Sequence, residues 1–426
     1  MPPIHARATD FLRGLGSRDA LDADARRGPA LPSRVNSHIH LPPNFSAFET
    51  VAQAVELAAA QGLSVLGVSN YYDYSVYRDF AIRALDCGVF PLFGTEVIAL
   101  VDDLRRAGVK INDPGNPGKL YLCGKGISRF EEMSPEAARL LGTVRRDDSE
   151  RMERMAERLD AVLAGAGFRA GLDAEAVRDR VVRRHGSPRE TVYLQERHIA
   201  QAFQEALFER QSPAERAATL LRAFGAEPGG VDDPVAVQSA IRTHLMKAGR
   251  PAFVAETFVG FEHALRLVLE LGGIPCYPVL ADGAEPICPF EEPVEGLVER
   301  LRTWGLHCAE LIPVRNRPDV LGRYVRALRR AGLVVTAGTE HNTLDLLPME
   351  PTCLGGEPIP EDLRAVFREG ACVVAAHQFR LAQGLPGFVD AAGSPDPGYA
   401  SDEERIRAYA RLGAAVVRRG LDAAVA

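Results

Sequence analysis

Lysine is scarce in this sequence: it occurs only at positions 110, 119, 125 and 247, and all the other basic residues are arginines. We interpret this bias as a property of the genome rather than as a sign of chemistry. The net charge is −7 and no block of Lys or Arg dominates, so nothing in the charge pattern supports a nucleic-acid partner. No apolar run approaches the roughly 20 residues that span a bilayer, which predicts that the protein has no membrane partner.

The sequence also lacks cysteine pairs that would mark a disulfide framework or a zinc finger. Its seven cysteines are scattered, form no CxxC pair, and in several cases lie in apolar runs such as LYLCGKG and GIPCYPV. This pattern is typical of reduced, mostly buried thiols. The start, MPPIHARATDFLRGLG, lacks the apolar core of a signal peptide. We therefore expect a cytoplasmic protein with no cysteine among its metal ligands.

What the sequence does contain is a series of short apolar runs that alternate with amphipathic helical patterns. With 426 residues, 46% of them hydrophobic, the chain is long enough for one large core and an added domain. Buried runs separated by helices are typical of parallel strands, and seven or eight βα units favour a barrel. The predicted fold is α/β, a distorted TIM-like (β/α)7-8 barrel with a helical insertion. Its predicted strands are RVNSHIH, LSVLGVS, VFPLFGTEV, KLYLCG, GGIPCYPVL, LHCAELIPV, LVVTAGTE and CVVAAHQF.

The βα pattern is interrupted once, by a long segment that is almost wholly helical. MSPEAARLLG marks its start, with Ser134 as the N-cap and Pro135 at the first helical position. We interpret this segment as an insertion carried on the barrel. The predicted division is an N-terminal arm (1–30), the barrel (31–130 and 250–390), the helical insertion (131–249) and a C-terminal helix (391–426).

The first predicted strand ends in VNSHIH, which places His38 and His40 two residues apart. Side chains at positions i and i+2 of a strand point the same way, so both imidazoles would reach one spot. Such a pair can hold a metal ion, but it can also be capped by backbone carbonyls or lie exposed. Pro42 and Pro43 would stop the strand and turn the chain across the barrel mouth, because proline cannot continue a sheet ladder.

Other predicted strands also end in polar residues, on the face where barrel active sites lie. Charged and imidazole groups at the ends of apolar strands need partners, and a divalent metal ion is a partner that they can share. Together with the H-x-H pair they favour a metal site, although Glu96 could instead pair with an arginine and His377 could be a hydrogen-bonded core histidine. The strand ends supply Asn70, Tyr71, Tyr72, Asp73, Glu96, Tyr121, Cys123, Lys125, Tyr277, Glu310, Arg315, Asn316, Arg317, Glu340, His341, Asn342, His377 and Gln378.

The order of these motifs resembles that of the PHP (polymerase and histidinol phosphatase) superfamily of metal-dependent hydrolases. NSHIH is similar to the opening H-x-H strand of that family, and FGTEV is similar to its G-x-E strand, with Glu96 as the implied ligand. QERHIAQAF resembles the R-x-H-I-A helix of the phosphoesterase branch, which would make His198 a ligand. AGTEHNT resembles the closing G-S-D-x-H motif, with Glu340 replacing Asp and either His341 or Asn342 at the last ligand place.

The resemblance covers roughly residues 34–378 and departs from the family at three places where histidine is expected. Tyr71, Tyr121 and Tyr277 stand at those places. A neutral phenol with a pKa near 10 is a poor ligand for zinc or manganese but a good hydrogen-bond donor. The resemblance therefore implies one or two ions of Zn, Mn or Fe rather than the intact trinuclear centre of the family. The implied ligands are His38, His40, Glu96, His198, Glu340 and His341.

The function that the resemblance implies is metal-assisted hydrolysis of a small anionic substrate, with a phosphate ester as the leading prediction. Two alternatives stay open: a metal-dependent enzyme that acts on an amide, lactone or sugar acid, and a degenerate barrel that binds a ligand without turnover. The sequence contains no sign of the oligomeric state. The predicted catalytic residues are Glu96, Glu340, Tyr71 and Tyr277, and the predicted substrate-binding residues are Arg315, Arg317, Asn70, Asn342 and His377.

Overall fold

The computed structural model of the chain describes residues 7–256 and 258–425. Its sheet contains eight strands: β1 (Val35–Ile39), β2 (Val65–Tyr71), β3 (Phe90–Leu100), β4 (Lys119–Lys125), β5 (Val259–Gly260), β6 (Ile274–Val279), β7 (Cys308–Leu311) and β8 (Val334–Ala337). Seven of them follow the order β1-β2-β3-β4-β6-β7-β8, and the short β5 pairs with the end of β3. The sequence did not predict β5, because a two-residue strand has no periodicity to detect.

The sheet is a nearly closed barrel. Strands β1 to β3 are parallel, as are β6 to β8, and β4 is antiparallel to both of its neighbours. Between β8 and β1, the His40 N–H donates to the Glu340 carbonyl over 2.9 Å. Gly338 permits this approach, because a Cβ atom there would lie 2.3 Å from the Cβ of His38. The predicted distorted TIM-like α/β barrel is confirmed, with one antiparallel strand that the sequence did not indicate.

One predicted strand is wrong. CVVAAHQF lies within α14 (Glu361–Ala382), whose residues are almost all buried from Gly370 to Arg380. A helix that is buried on all sides shows no alternation of apolar and polar faces. A short apolar run inside such a helix cannot be distinguished from a buried strand by its periodicity. His377 is therefore on a helix, not at the end of a barrel strand.

Helices cover the outside of the barrel and also form the long segment between β4 and β5. The helix α6 begins at Pro135 with Ser134 as its N-cap, as predicted, and the Ser134 hydroxyl accepts from the Ala137 N–H over 3.0 Å. The helices other than α14 are α1 (Asp10–Gly14), α2 (Arg18–Arg26), α3 (Val51–Ala60), α4 (Tyr77–Asp86), α5 (Asp102–Arg106), α6 (Pro135–Gly165), α7 (Ala174–His185), α8 (Glu196–Arg210), α9 (Pro213–Phe224), α10 (Pro234–Ile241), α11 (Phe261–Glu270), α12 (Val294–Thr303), α13 (Pro318–Arg330) and α15 (Asp402–Val425).

The long helix α6 belongs to two hydrophobic cores. Its first turns contribute Leu140 and Val144 to the core around the barrel. Its later turns contribute Met152 and Leu159 to a second core, which the helices α6 to α10 form among themselves. Because one continuous helix is packed in both cores, the helical segment is anchored to the barrel next to β4. Our interpretation of residues 131–249 as an inserted domain agrees with this packing and stays an interpretation.

The two ends of the described chain pack together on the barrel. The helices α1 and α2 lie in the predicted N-terminal arm, of which residues 1–6 are outside the described residues. The helix α15 packs against α14 and α2, and its Arg419 contacts Asp24 of α2 through a 2.7 Å ion pair. Within the described ranges, no helix is both long and apolar enough to cross a membrane.

Candidate metal centre

Three potential ligand atoms converge at the mouth of the barrel. His38 and His40, at the end of β1, are both 1% exposed, and their Nε2 atoms lie 3.4 Å apart. Glu96 of β3 places its Oε2 atom 3.4 Å from Nε2 of His38 and 3.6 Å from Nε2 of His40. The period of a strand puts both rings on the same side, and the parallel pairing of β2 with β1 and β3 brings Glu96 beside them.

These distances fit a metal ion. Ligand atoms about 2.0–2.2 Å from a tetrahedral ion lie about 3.3–3.6 Å from one another, which matches the three separations in the cluster. Burial, and after it the charge of His38, lowers the pKa of His40 well below its usual value. The ring of His40 is therefore neutral, as ligation requires. Its Nδ1 atom is buried and has no hydrogen-bond partner among the described residues, so no hydrogen bond at Nδ1 explains the orientation of this ring.

A buried carboxylate behind the cluster fixes the orientation of His38. Glu310 of β7 lies 2.6 Å from Nδ1 of His38 through Oε2, and 2.6 Å from Nζ of Lys125 through Oε1. Nδ1–H of His38 therefore donates to Glu310, which leaves Nε2 as the ligand atom, an arrangement typical of metal-binding histidines. Burial lowers the pKa of His38, but the charge of Glu310 and the hydrogen bonds to Cys123 and Glu310 together raise that pKa well above its usual value. A metal ion at Nε2 would thus compete with a proton.

Tyr71, a predicted catalytic residue, orients Glu96. The Tyr71 hydroxyl donates to Oε1 of Glu96, and its ring stacks on that of His40 with the centroids 5.3 Å apart. Burial, and after it the charge of Glu96, raises the pKa of Tyr71 well above its usual value. The phenol is therefore a neutral donor that holds one oxygen of Glu96 and leaves the other facing the histidines.

One cysteine, Cys123, lies beside the cluster, and our expectation that no cysteine is a metal ligand stays a prediction. Cys123 of β4 is the cross-strand neighbour of Glu96, and its Sγ lies within 4.8 Å of ligand atoms of His38 and Glu96. The pairing of two strands brings it there rather than a local motif, so cysteine spacing could not reveal it. Burial raises the pKa of Cys123 to about 11. It is therefore a neutral thiol at pH 7 unless a metal ion binds to it.

A second carboxylate, Glu340, lies at the mouth of the barrel. It forms an ion pair with both terminal nitrogens of Arg315 and accepts a hydrogen bond from the side-chain amide of Asn342. Burial opposes the ionisation of Glu340, but the charge of Arg315, the two histidines and the hydrogen bond from Arg315 together lower its pKa to about 2. Glu340 is therefore an anion at neutral pH, with Arg315 as its main partner.

The backbone at Glu340 explains why the structure does not bring His341, a predicted ligand, to the cluster. Both residues are left-handed, with φ of 57° and 50°, which is uncommon and costly for non-glycine residues. This double turn directs His341 away from the mouth: its Nδ1 lies 2.7 Å from Oγ1 of Thr339, and its Nε2 lies 3.0 Å from the carbonyl of Leu347. Asn342, the alternative residue for that ligand place, lines the cavity above the cluster instead.

That cavity has a volume of about 370 Å³. The barrel side of the cavity is lined by Tyr71, Glu96 and Glu340. We call these residues and the His38–His40–Glu96 cluster together the floor. The helical segment and the loop after β7 supply cations, which we call the roof cations. These are Arg197, Arg242, Lys247 and Arg315.

The roof cations are only partly neutralised. Lys247 pairs with Glu196 over 2.9 Å, but within the described part of the chain Arg197 makes a single 3.4 Å hydrogen bond, to Asn342. Arg242 lies 3.9 Å from Glu196 through Nη2, and its Nε atom is buried without a partner among the described residues. Burial, and after it the charge of Arg242, lowers the pKa of Arg197 to about 10, so it is still a cation at neutral pH. The cavity therefore presents surplus positive charge to a ligand above the cluster.

His198, another predicted ligand, lies at the start of α8 and does not line this cavity. Its Nδ1 atom accepts from the backbone N–H of Gln195 over 3.1 Å, which makes it part of a helix cap. Its ring packs edge-on against Phe45, with the centroids 5.4 Å apart. Nε2 of His198 is buried without a partner among the described residues. Burial lowers the pKa of His198 to about 3; its ring is neutral, and its role as a ligand stays a prediction.

Two further predicted site residues point away from the cavity. Tyr277 faces outward from β6, since its neighbour Cys276 points into the barrel and side chains alternate along a strand. The Tyr277 hydroxyl donates to Glu291 over 2.9 Å, so the structure does not support the predicted catalytic role. Arg317 is exposed, lies beside Asp282 and does not line the cavity, so the predicted contact with substrate is not supported either.

The structure also gives Asn70 and His377 structural contacts. The side-chain amide of Asn70 exchanges hydrogen bonds of 2.8 and 2.9 Å with the backbone of Leu41 and so holds the chain after β1 in place. Nδ1 of His377 accepts from the Phe388 N–H over 2.9 Å, and Nε2 lies 3.1 Å from the carbonyl of Gly272. Of the alternatives that the sequence left open, His377 is the hydrogen-bonded core histidine.

Three lysines lie at or beside the site, of which only Lys125 was named among the predicted strand-end residues. Only four positions carry lysine in a chain that otherwise uses arginine. Lys125 is buried against Glu310 behind the cluster, and Lys247 is a roof cation. Lys119 is buried against Asp113 beside the cavity. Three of the four lysines therefore lie at or beside the site, while our attribution of the lysine scarcity to the genome stays an interpretation.

Comparison with models of protein families finds no match, and comparison with curated proteins finds none. Among solved structures, the chain is similar to an amidohydrolase from Chromobacterium violaceum with bound sulfate and no metal, with a TM-score of 0.50 and 19% identity, over 78% of this chain and 97% of that one. It is also similar to a protein from Bifidobacterium adolescentis named as a proposed metal-dependent phosphoesterase, with a TM-score of 0.51 and 18% identity, over 78% of this chain and 95% of that one. At these identities the likeness shows a shared fold.

Proposed function

We propose that the protein is a metal-dependent hydrolase of a small anionic substrate, and that it cleaves the ester bond of a phosphate monoester. One observation carries the proposal: the cluster of His38, His40 and Glu96 lies beneath a cavity whose opposite side presents surplus positive charge. Ligand atoms with the separations of a tetrahedral site indicate a divalent ion. Cations above them suit a substrate whose negative charge increases near the reacting bond.

The residues that would hold the ion are His38 through Nε2, His40 through Nε2 and Glu96 through Oε2, with Cys123 beside them. When bound, a divalent ion lowers the pKa of its water towards ~7 and polarises the scissile bond. The chain keeps these ligands in place through hydrogen bonds behind them: Glu310 holds Nδ1 of His38. His and carboxylate ligands suit Zn, Mn and Fe alike, so the proposal does not specify the metal.

Glu340 is a positioning residue in this proposal rather than the general base. A carboxylate with a pKa of about 2 is a weak proton acceptor at neutral pH. Its ion pair with Arg315 holds the guanidinium at the cavity wall. Arginine binds phosphate through two parallel N–H groups. Arg315 and Arg197 would therefore bind the non-bridging oxygens of the substrate phosphate.

Amide hydrolysis is the second candidate, because one of the two similar structures is named an amidohydrolase. Arg197 argues for the phosphate ester, since it pairs with no carboxylate among the described residues and a neutral amide would leave it without a charged partner in a partly buried site. Degeneration into a binding protein is the third possibility. It predicts a chain without metal that binds a ligand but releases no product from it.

The first experiment is elemental analysis of the purified chain, beside a His38→Ala/His40→Ala double variant. We expect one to two equivalents of transition metal in the parent and nearly none in the variant. Phosphate release from aryl and alkyl phosphates, measured next to the hydrolysis of acyl amides, then distinguishes the two reactions. A parent that neither contains nor takes up zinc, manganese or iron would contradict the proposal, and amide turnover without phosphate release would replace it with the second candidate.

A further inference from the structure

The cavity has a side arm of about 80 Å³ that extends away from Glu340 and Arg315. It shares Tyr71, Tyr121, Arg197, Arg242 and Asn342 with the larger cavity and continues between β2 and the helix α6. A cavity of about 10–15 Å³ is enough to hold one water molecule, so the arm has room for several oxygen-sized groups. Apart from His40, the proposed function uses none of the residues that occur only in this arm, which include Tyr72 and Asp148.

Tyr72 projects a hydroxyl without a partner into the side arm. The residue is 1% exposed, and its hydroxyl has no hydrogen-bond partner among the described residues. Its backbone is left-handed, with φ of 51°, which is unfavourable for a tyrosine. Arg145 of α6 holds this conformation, because its guanidinium donates through Nε to the Tyr72 carbonyl over 2.8 Å. The fold thus maintains a strained backbone that turns an unpaired hydroxyl into a cavity, which is typical of a functional residue.

Asp148, three residues further along α6, projects a carboxylate into the same arm. Its side chain is buried, and no described residue lies within ion-pair or hydrogen-bond distance of it. Lys119 and Arg151 are its nearest positive charges, but each is paired elsewhere, Lys119 with Asp113 and Arg151 with Glu196. Burial raises the pKa of Asp148 to about 7, although both cations oppose the shift. The carboxyl group can therefore accept or donate a hydrogen bond at neutral pH.

The Tyr72 hydroxyl and the Asp148 carboxyl, both unpaired in one buried arm, indicate a binding site for a ligand. A buried polar group without a hydrogen bond is unfavourable, and a purely structural pair would be bonded to each other or to the protein. The charge of Asp148 is, after burial, the largest influence that raises the pKa of Tyr72, so the two groups are close without being bonded. The neighbouring cations Lys119 and Arg151 disfavour an ammonium ligand at this place. Neutral hydroxyl groups satisfy both Tyr72 and Asp148.

We propose that Tyr72 and Asp148 form a subsite for the hydroxyl groups of the substrate, and that the substrate is a phosphate ester of a sugar or other polyol. The inference rests on the proposed function, because the phosphate would lie under the roof cations while the polyol extends into the side arm. Tyr72 and Asp148 contact only the alcohol portion in this arrangement. They determine which ester is bound and have no part in the cleavage of its bond.

The test compares ribose 5-phosphate, glycerol 3-phosphate and inorganic phosphate by calorimetry on the full chain as purified, with released phosphate assayed after each titration. The parent should bind at least one of the two esters about tenfold more tightly than inorganic phosphate. Tyr72→Phe and Asp148→Asn should each remove most of this preference and leave the affinity for inorganic phosphate unchanged. Matched controls are Tyr74→Phe, which loses a buried hydroxyl bonded to Thr95, and Asp147→Asn, one position away on α6.

The outcomes separate the two proposals. Equal affinity of the parent for both esters and for inorganic phosphate would overturn the subsite, as would variants that weaken esters and phosphate alike. Thermal unfolding of the variants shows whether they are folded, and a variant that has lost its fold is replaced by Asp148→Ser, for which the same loss of preference is expected. Binding preference without any phosphate release would support the subsite while contradicting the proposed hydrolysis. Binding of 4-nitrophenyl phosphate, which lacks hydroxyls on its leaving group, should be unchanged in both variants.

Discussion

The floor and the roof of the cavity are built on different principles. On the floor, the candidate ligands are held from behind by other buried side chains, as His38 is by Glu310 and Glu96 by Tyr71. Among the roof cations, Arg197 has one weak hydrogen bond and Arg242 has an unpaired Nε. A preorganised floor is suited to a fixed ion and to chemistry, while incompletely paired cations are suited to a charged group that arrives and leaves.

The difference has its origin in the secondary structure. The floor comes from strands whose hydrogen-bond register fixes each side chain. The roof comes from a helical segment with its own core, and Arg242 begins a π-helical turn, Arg242–Met246. Such turns are rare and are found mostly at functional sites. If the two regions have separate tasks, variants of the floor should change metal binding and variants of the roof should change substrate binding.

The largest effect should come from removing the floor ligands. His38→Ala/His40→Ala takes away two of the three ligand atoms that lie 3.4–3.6 Å apart, so we expect the bound metal and phosphate release both to fall below detection. Affinity for inorganic phosphate, measured by calorimetry, should be nearly unchanged because the roof is intact. A variant that keeps its metal would contradict the assignment of these ligands. Loss of phosphate affinity together with the metal would contradict the separation of floor and roof.

The next effect concerns the carboxylate behind His38. Glu310→Gln keeps the shape of the side chain but weakens the hydrogen bond to Nδ1 of His38, and the loss of such a bond behind a ligand lowers metal affinity about 10–100-fold. The measurement is a competition titration with a chelating dye. Glu291→Gln is the matched control, since Glu291 is also buried and accepts a hydrogen bond from Tyr277 but lies outside the cavity. Equal losses in both variants would mean that Glu310 acts through general stability alone.

A smaller effect is expected from the roof. Arg197→Gln removes a cation that lines the cavity, and the loss of one charged hydrogen bond to substrate should raise KM about tenfold with little change in bound metal. Arg317→Gln is the control, because Arg317 is exposed beside Asp282 and does not line the cavity. Steady-state kinetics of both variants decide the point. An unchanged KM in Arg197→Gln would contradict the claim that the roof cations bind the substrate.

The sequence predicted the barrel and the H-x-H pair because both depend on local patterns: apolar runs give strands, and the period of a strand puts His38 and His40 on one side. It named Cys123 and Glu310 only as strand-end residues, without their contacts in the cluster, and it did not predict Arg242. Strand pairing and the packing of the helical segment bring these three residues to the site from distant parts of the chain. His341 shows the opposite error, since the sequence assigned to the site a residue that the structure does not bring there. A motif placed His341 at the site, but a two-residue left-handed turn directs it away, and no pattern of residue types encodes such a turn.

The smallest effect tests the ion pair that joins floor and roof, that of Glu340 with Arg315. The pKa of Glu340 is lowered from its usual 4.5 to about 2, so its charge stabilises the folded state above pH 4.5, and this contribution decreases as the pH falls towards 2. Thermal unfolding should therefore show the parent more stable than Glu340→Gln at neutral pH, with a gap that narrows below pH 4.5. Glu295→Gln, an exposed position on α12, should show no such dependence. A gap that stays constant from neutral pH to about pH 3 would mean that Glu340 contributes through its shape and hydrogen bonds rather than through its charge, and the pair could then not be the electrostatic link between floor and roof.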